Sequence, residues 1–502
     1  MSVRRAVTVA VLLAAAAGTL RAQERAQGPL ARSLAPLFQG RAWRHATWGA
    51  LVVSLTRGDT LLSYRADRRF VPASNAKLFT TAAALHYLGP DFRFITALFA
   101  GGPVRDGTLY GDLVLYGTGD PTFGLDTAAL APFADSVVLA GIRRVNGDLV
   151  GDASFLGAEL AGPGWAPENL DQWFAAPPSA LGAAENLVEI VVEPGDARGD
   201  AATVTMDPPN DYFSIRSTVT TGRPRSRTRI NLRRGLSPTL LTLTGTISPW
   251  RRAWRTYAVV QEPAQFAAGL LRSLLAARGV AVSGTARGAT DDAAGRGRRL
   301  LAGARGGGGG GGGGEEGDPL EGAIAVRRSE SLGDLVGMIN RRSHNLSAEL
   351  VFRSIGRSVG GAGTFASGAR AVAQFLRDTV GIVPGSFTVS DGSGLSILDE
   401  ATPRALVQLL AYERRAPEAE VFWRSLPVAG DGLRGRMEDT PAEGRLRAKT
   451  GTLKNASALA GYVSAANGEE LAFSILVNDA WRINRARRVQ DVIGARLAEF
   501  SR

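Results

Sequence analysis

The chain has 502 residues, of which 45% are hydrophobic and 21% are charged, a balance typical of globular proteins with two to four domains. It contains no cysteine, which excludes disulfides, cysteine nucleophiles and thiolate metal sites, and its three scattered histidines predict no zinc site. The formal net charge is +11, but the basic residues are spread along the chain without interleaved aromatics, so we expect an anionic partner other than nucleic acid.

The N-terminal residues are typical of a secretory signal. Arg4 and Arg5 precede an apolar run, residues 6–20, that is too short for a membrane-spanning helix. We predict a signal peptide over residues 1–22, with an uncleaved anchor as the alternative. No second apolar run of spanning length follows. The mature protein is therefore expected in the periplasm without a stable membrane anchor, where the anionic partner is the cell wall.

Strands and a buried helix are predicted next. Residues 51–54 and 60–64 form two strands around a turn, and the nearly all-apolar residues 72–85 form a buried helix. From residue 96 to residue 284, short β-like runs alternate with Gly, Pro and Asp turns, which predicts an inserted β-rich region of two subdomains. Residues 285–319 include an unbroken glycine run and are predicted to be a disordered linker.

The last part of the chain returns to helices and then to strands. Helices are predicted near residues 332–340, 346–354, 371–379 and 482–500, and strands near residues 445–450, 457–465 and 470–478. The simplest assembly is one α/β (α+β) domain whose mostly antiparallel sheet joins the first strands to the last and is flanked by helices. Residues 27–95 and 320–502 form this discontinuous domain.

The predicted buried helix carries Ser74 and Lys77, whose spacing of three residues places both on one face. A serine hydroxyl needs a base to become nucleophilic, and burial shifts a lysine toward its neutral form. The chain has only three lysines among its 58 Lys and Arg residues, so each is a candidate for a role that arginine, which stays protonated, does not fill. We predict that Ser74 is a nucleophile and Lys77 its base, with a solvated helix face as the alternative.

A second motif, Ser343-His344-Asn345, lies between two predicted helices. A hydroxyl at Ser343 could pass a proton to a leaving amine. The amide of Asn345 could hold a substrate peptide and the lysine. The alternative is an ordinary turn or a cap of the helix that follows.

A third motif, Lys449-Thr450-Gly451-Thr452, ends a predicted strand. One cation and two hydroxyls at a strand edge suit a carboxylate. Gly451 would let another backbone segment approach closely. The alternative is a lysine on a strand that is followed by a turn.

In this order, Ser-x-x-Lys, Ser-x-Asn and Lys-Thr-Gly are the signature of penicillin-binding proteins and serine β-lactamases. The insertion of roughly 200 residues between the first two motifs is far larger than in β-lactamases. Over residues 35–500 the chain resembles the D-alanyl-D-alanine carboxypeptidase/endopeptidase family, the class C low-molecular-mass penicillin-binding proteins (penicillin-binding protein 4 family). The other strings that carry the resemblance are residues 111–115, 119–122, 147–148, 152–155, 179–181 with Asn186, and 391–396.

The resemblance implies a β-lactamase/transpeptidase-like domain in which the penultimate D-Ala of a peptidoglycan stem peptide acylates Ser74, the terminal residue leaves, and water then releases the peptide. It implies β-lactam antibiotics as covalent inhibitors, no metal and no cofactor, and it leaves a homodimer open. The roles it implies are Lys77 as base, Ser343 and Asn345 in proton transfer, Lys449, Thr450, Gly451 and Thr452 in binding the terminal carboxylate, and the N–H groups of Ser74 and Thr452 as the oxyanion hole.

Two other functions share the motifs. A β-lactamase would add fast deacylation, but no glutamate is assignable to the deacylating role that it has in class A β-lactamases. A non-catalytic wall-binding module would keep the fold without the chemistry. Against that module, the scarce lysines are kept at both motif positions. His344 stands where aspartate is common in the family, and we expect little effect from it.

Overall fold

The computed structural model describes residues 28–125, 127–235, 237–291, 320 and 322–502. The predicted signal peptide and the glycine run of the predicted linker lie outside these residues. Within the described ranges, no helix is both long and apolar enough to cross a membrane.

The described part of the chain forms strands at both ends and through its middle, with most of its helices in the second half. In chain order, the strands are β1 (Thr47–Ser54), β2 (Thr60–Tyr64), β3 (Ile95–Ala100), β4 (Val104–Arg105), β5 (Thr108–Leu109), β6 (Leu113–Gly117), β7 (Arg144–Val145), β8 (Leu149–Asp152), β9 (Leu187–Glu193), β10 (Thr203–Asp207), β11 (Ser214–Ser217), β12 (Thr220–Thr221), β13 (Arg229–Arg234), β14 (Leu240–Ile247), β15 (Trp254–Val259), β16 (Ala281–Val282), β17 (Ala286–Ala289), β18 (Ala323–Arg328), β19 (Phe387–Thr388), β20 (Glu400–Ala401), β21 (Leu446–Leu453), β22 (Ala456–Ser464) and β23 (Glu470–Asn478). The helices are α1 (Pro29–Leu34), α2 (Ala76–Leu88), α3 (Ala131–Leu139), α4 (Pro263–Ala277), α5 (Leu332–Arg342), α6 (Asn345–Gly360), α7 (Phe365–Gln374), α8 (Pro403–Glu413), α9 (Ala419–Ser425) and α10 (Ile483–Glu499).

One five-stranded antiparallel sheet joins the two ends of the chain, in the order β2-β1-β23-β22-β21. Neighbouring residues of a strand point to opposite faces, and both faces of this sheet are apolar. Leu51 and Ala458 pack with helices α2 and α5 to α9 on one face. Val52 and Leu459 pack with α1 and α10 on the other. The predicted helix-flanked antiparallel sheet is confirmed, and it places β21 at an edge.

The middle of the chain forms its own core from four further sheets. The largest has the order β17-β8-β6-β3-β18 and contains parallel as well as antiparallel pairs. Helix α4 packs against β8 and β17 of this sheet, which covers part of its apolar surface. These sheets are formed largely by the residues that the sequence predicted as a β-rich insertion.

The ends of that region differ from the predicted ranges. Strand β17 lies within the range predicted as linker, so that prediction was wrong for its first residues, because β17 pairs in parallel with β8. Strand β18 lies in the range assigned to the catalytic domain, yet it pairs with β3. Both are edge strands with mostly half-exposed or exposed side chains, and their pairing rests on backbone hydrogen bonds that leave a weak side-chain signal.

The predicted helix at residues 72–85 begins with a tighter turn. A 3₁₀ turn over Ala73–Asn75 precedes α2, and Ala73 has a φ of 47° in the left-handed region. Ten consecutive residues at the start of α2 are buried, as the apolar sequence predicted. The turn places Ser74 just before a buried helix, at the edge of the sheet.

Candidate active site

The side chain of Lys77 is fully buried, and its amine contacts the hydroxyl of Ser74. Nζ donates to Ser74 Oγ at 3.0 Å and to Asn345 Oδ1 at 2.7 Å. It also donates to the backbone carbonyl of Ser393 at 2.7 Å. The three partners use the full donor capacity of a protonated lysine. The first two predicted motifs therefore meet at this amine.

The third motif meets the second at another buried lysine. Lys449 is 1% exposed, and its Nζ donates to Ser343 Oγ at 2.8 Å and to the carbonyl of Thr450 at 2.9 Å. Ser343 ends helix α5 in the left-handed conformation, with a φ of 57°. Residues held in that region are strained and cluster at functional sites. Ser343 thus lies between a strand edge and the two helices of its motif.

The hydroxyl groups of the three motifs face one cavity of about 270 Å³. Its lining includes Ser74, Ser343, Thr450 and Thr452, whereas Lys77 and Lys449 lie behind that lining, out of contact with solvent. A substrate in the cavity would contact the hydroxyls directly, and the lysine amines would lie behind them. The structure brings together every residue that the sequence predicted for the site.

Close backbone packing at Ser74 depends on two glycines. A Cβ built on Gly451 would lie 2.6 Å from the carbonyl oxygen of Pro72 and 3.0 Å from the backbone nitrogen of Ser74. A Cβ on Gly394, which has a φ of 75°, would lie 1.9 Å from the carbonyl oxygen of Ala73. Strand β21 and the segment at residue 394 thus both pack on the turn that carries Ser74.

We expect Gly394→Ala to lower stability by about 3 kcal/mol or more, because it adds a backbone clash to the cost of left-handed backbone. Gly468→Ala is the matched control. Gly468 has a φ of 80° but nothing within 4 Å of its added Cβ, so only the conformational cost of about 1–2 kcal/mol is expected there. Urea unfolding of both variants measures the difference. Equal losses would show that the close approach at Gly394 does not matter.

Sequence reasoning missed the carboxylates behind Lys77. Glu349 is fully buried on α6, and it accepts hydrogen bonds from the backbone N–H groups of Gly392 at 2.8 Å and Ser393 at 2.9 Å. Asp391 accepts from the N–H groups of Ser393, Gly394 and Ser396. These bonds fix the segment whose Ser393 carbonyl contacts Lys77. The sequence contained one indication of Glu349: it lies one helical turn after Asn345, on the same face of α6.

The inserted region contacts the second motif directly. Asn345 Nδ2 donates to the carbonyl of Phe174 at 2.8 Å. The ring of His344 contacts Glu185 through Nε2 at 3.3 Å, and its Nδ1 accepts from the N–H of Ser347, which caps α6. A histidine thus fills the capping position here. The insertion supports the orientation of Asn345, a role that its sequence did not indicate.

Burial sets the ionisation of the two lysines. Desolvation lowers the pKa of Lys77 to about 8, although the negative charges of Glu349, Asp391 and Asp399 act to raise it. Burial, with repulsion from Lys77 and Arg434, lowers the pKa of Lys449 well below its usual value. Burial also raises the pKa of the Glu349 carboxyl. A lysine with a pKa near 8 has a substantial neutral fraction near neutral pH, which a general base requires.

We expect the rate at which Ser74 is acylated to rise with pH along a limb centred near pH 8. Below the pKa of Lys77, the fraction of Lys77 in the neutral form falls tenfold per pH unit. The rate at about pH 6 should therefore be roughly a hundredfold below the plateau. Stopped-flow acylation from about pH 6 to about pH 9.5 measures this limb. A flat profile across that range would contradict a neutral Lys77 as base.

A helix-flanked antiparallel sheet, with a serine hydroxyl held by a buried lysine at its edge, is the arrangement of active-site serine acyl-transfer enzymes of the penicillin-recognising type. The model of the D-Ala-D-Ala carboxypeptidase 3 (S13) family matches residues 30–304 and 318–499. The chain belongs to this family. It is therefore a serine-type peptidase of the D-Ala-D-Ala carboxypeptidase class, and the predicted family is confirmed.

Individual relatives agree with this assignment. The chain is 33% identical to the D-alanyl-D-alanine carboxypeptidase of Actinomadura sp. (strain R39), over 93% of this chain and 84% of that protein. It is 24% identical to D-alanyl-D-alanine carboxypeptidase DacB of Haemophilus influenzae, over 86% of this chain and 85% of that protein. Its fold is similar to the crystal structure of penicillin-binding protein 4 from H. influenzae, with a TM-score of 0.78, 22% identity, and coverage of 93% of this chain and 99% of that one.

Proposed function

We propose that the chain removes the terminal D-Ala from peptidoglycan stem peptides, and cleaves peptide cross-links, through an acyl-enzyme on Ser74. The observation that carries the proposal is the contact of 3.0 Å between Ser74 Oγ and the buried amine of Lys77. Neutral Lys77 takes the hydroxyl proton as Oγ attacks the carbonyl carbon of the penultimate D-Ala. The bond that forms joins Oγ to that carbon, and the negative charge moves to the carbonyl oxygen.

The oxyanion is assigned to two backbone N–H groups. Gly451 packs against the backbone nitrogen of Ser74, and Thr452 is the next residue of strand β21. We therefore assign the N–H groups of Ser74 and Thr452 as donors to the oxyanion. Removing one such donor typically lowers the rate by about 10²–10³. The close packing of Gly451 on the backbone nitrogen of Ser74 supports this assignment.

Collapse of the intermediate expels the terminal residue as an amine, which must gain a proton. Ser343 Oγ lies 2.8 Å from the Nζ of Lys449 and faces the cavity. We assign Ser343 to pass a proton to the leaving nitrogen, with Lys449 supplying that proton to Ser343. Asn345 holds the Lys77 amine and is placed to assist this transfer. Water then attacks the ester carbon and gives up a proton, which returns through Ser343 to Lys449. Lys77 returns its proton to Ser74, and the shortened peptide is released.

The terminal carboxylate of the substrate is assigned to Lys449, Thr450 and Thr452 at the edge of the sheet. An anion at this edge favours the charged form of Lys449, whose pKa burial lowers. The hydroxyls of both threonines line the same cavity as Ser74. Charge-assisted hydrogen bonds of this kind are about twice as strong as neutral ones.

We expect Lys449→Ala to lower kcat/KM for a D-Ala-D-Ala peptide by about one to two orders of magnitude, because a charge-assisted bond is lost. The same peptide with a C-terminal amide tests the cause. Wild type should prefer the free carboxylate, and Lys449→Ala should lose that preference. Lys454→Ala, an exposed lysine on the same hairpin, is the matched control. An unchanged preference in Lys449→Ala would refute the assignment.

β-Lactam antibiotics are proposed as covalent inhibitors that acylate Ser74. The H. influenzae protein has also been solved in complex with a β-lactam, and this chain has its fold with a TM-score of 0.74. The apolar N-terminal sequence supports a further proposal, that a signal peptide over residues 1–22 directs the protein to the periplasm. There the positively charged chain would meet an anionic wall.

The proposed function is tested by the release of free alanine. Wild-type protein should release D-Ala from a stem pentapeptide ending in D-Ala-D-Ala and should leave the matched L-Ala-L-Ala peptide intact. Chiral chromatography of the released amino acid and mass spectrometry of the peptide measure both reactions. Absence of release from the D-Ala-D-Ala peptide, in folded protein, would contradict the proposal.

A further inference from the structure

The cavity beside Ser74 has a basic wall that the proposed reaction does not use. Arg341, Arg434, Arg436 and Arg487 line it together with the hydroxyls of the site, and none of the described residues that line it is acidic. Arg341 lies on helix α5, Arg487 lies on α10, and the other two lie in the loop before β21. Three separate segments therefore bring guanidinium groups to one small volume.

Two of these arginines already have partners. Arg436 pairs with Asp491 at 2.7 Å, and its side chain is only 9% exposed, so its charge is neutralised within the fold. Arg341 donates to the backbone carbonyl of Arg424 at 3.2 Å. These contacts give both residues a structural role in the wall of the cavity.

Arg434 and Arg487 differ from the other two. Within the described residues, neither forms an ion pair with a carboxylate, and the side chain of neither donates a hydrogen bond to a protein acceptor. Arg434 also has left-handed backbone, with a φ of 59°. Its charge acts on Lys449, whose pKa it lowers, so it lies close to the carboxylate site. Two unpartnered cations thus lie where the leaving residue would bind.

The charge of a simple substrate does not account for them. A terminal D-Ala carries one carboxylate, for which Lys449, Thr450 and Thr452 are already assigned. A guanidinium is a planar set of donors that matches a carboxylate well. We propose that Arg434 and Arg487 form a subsite for a second carboxylate on the leaving group of the substrate. This inference rests on the proposed function and adds the chemical class of its preferred leaving group.

The subsite predicts which bonds are cleaved fastest. A leaving group that has a second carboxylate, either on an acidic side chain or elsewhere in a departing peptide, would bind at both carboxylate sites. The bond broken at Ser74 stays the same, and only the binding of the departing amine component changes. The two arginines are therefore specificity residues, and their effect should fall as salt screens the interaction.

Two peptides of equal shape test this. They end in D-Ala-D-Glu and D-Ala-D-Gln, so that they differ only in the second negative charge. Wild type should cleave the D-Glu peptide with a kcat/KM about tenfold higher, chiefly through KM, and the ratio should fall at high salt. Arg434→Gln and Arg487→Gln should each lower the ratio, and the double variant should bring it near one. Arg485→Gln is the matched control, since Arg485 lies two residues from Arg487 on α10 but stacks on Trp43 instead.

The outcomes separate this inference from the proposed function. Cleavage of both peptides by wild type at equal rates would overturn the subsite and leave the carboxypeptidase proposal standing. A ratio that persists in the double variant would also overturn it. Cleavage of neither peptide, together with no release of D-Ala from a D-Ala-D-Ala peptide, would instead count against the proposed function.

Discussion

Ser74→Ala is expected to lower the release of D-Ala by about 10⁴-fold or more, while the protein stays folded. Ser74 is the proposed nucleophile because its hydroxyl faces the cavity and contacts the amine of Lys77, the proposed base. Removing that hydroxyl leaves Lys77 bonded to Asn345 and to the Ser393 carbonyl, so the buried amine keeps two partners. We therefore expect only a small loss of stability.

The measurement is the steady-state rate of D-Ala release, with thermal unfolding of the same samples. Ser273→Ala, an exposed serine on helix α4, is the control and should keep the wild-type rate. A Ser74→Ala protein that unfolds like wild type and still releases D-Ala at a comparable rate would show that Ser74 is not the nucleophile.

Lys77→Arg is expected to slow acylation by about 10³-fold, although it keeps a positive charge. Arginine stays protonated in proteins and therefore does not accept the proton of Ser74. The guanidinium is also larger than the amine that it replaces in a fully buried site with three hydrogen-bond partners. Both effects act against the reaction, and the second also threatens stability.

A second variant separates the loss of the base from the change in size. Lys77→Ala removes the side-chain amine and leaves space in which a small free amine can bind. Added methylamine should restore part of the acylation rate to Lys77→Ala, and more of it as pH rises, whereas Lys77→Arg should not respond. Lys454→Arg, at an exposed position, should match wild type. Wild-type acylation in Lys77→Arg would contradict the role of Lys77 as base.

The sequence predicted the catalytic sheet and the three motifs because each leaves a local pattern. The burial of α2 follows from its apolar residues, and the antiparallel hairpin of β22 and β23 follows from two strand-like runs joined by Asn467-Gly468. Ser74 and Lys77 are three residues apart, so the 3₁₀ turn and the first turn of α2 bring their side chains together. The scarcity of lysine then distinguished Lys77 and Lys449 from the many arginines.

The supporting contacts were not predictable because they join segments that are distant in sequence. The Ser393 carbonyl contacts Lys77 across 316 residues, and it is a backbone group that no side-chain pattern reveals. The bond from Asn345 to Phe174 spans 171 residues and depends on how the insertion packs. Likewise, the cations Arg434 and Arg487 meet at the cavity only in the folded chain.

Ser74 is expected to be acylated by a β-lactam and to keep the acyl group long enough for detection. The most direct measurement is intact-protein mass spectrometry over time after brief exposure to benzylpenicillin, followed by peptide mapping of the adduct. We expect one added drug mass, located on the peptide that contains Ser74 and retained over the time course. An adduct on another residue, or none in folded protein, would contradict it. An adduct lost within seconds while the drug is consumed would identify a β-lactamase instead.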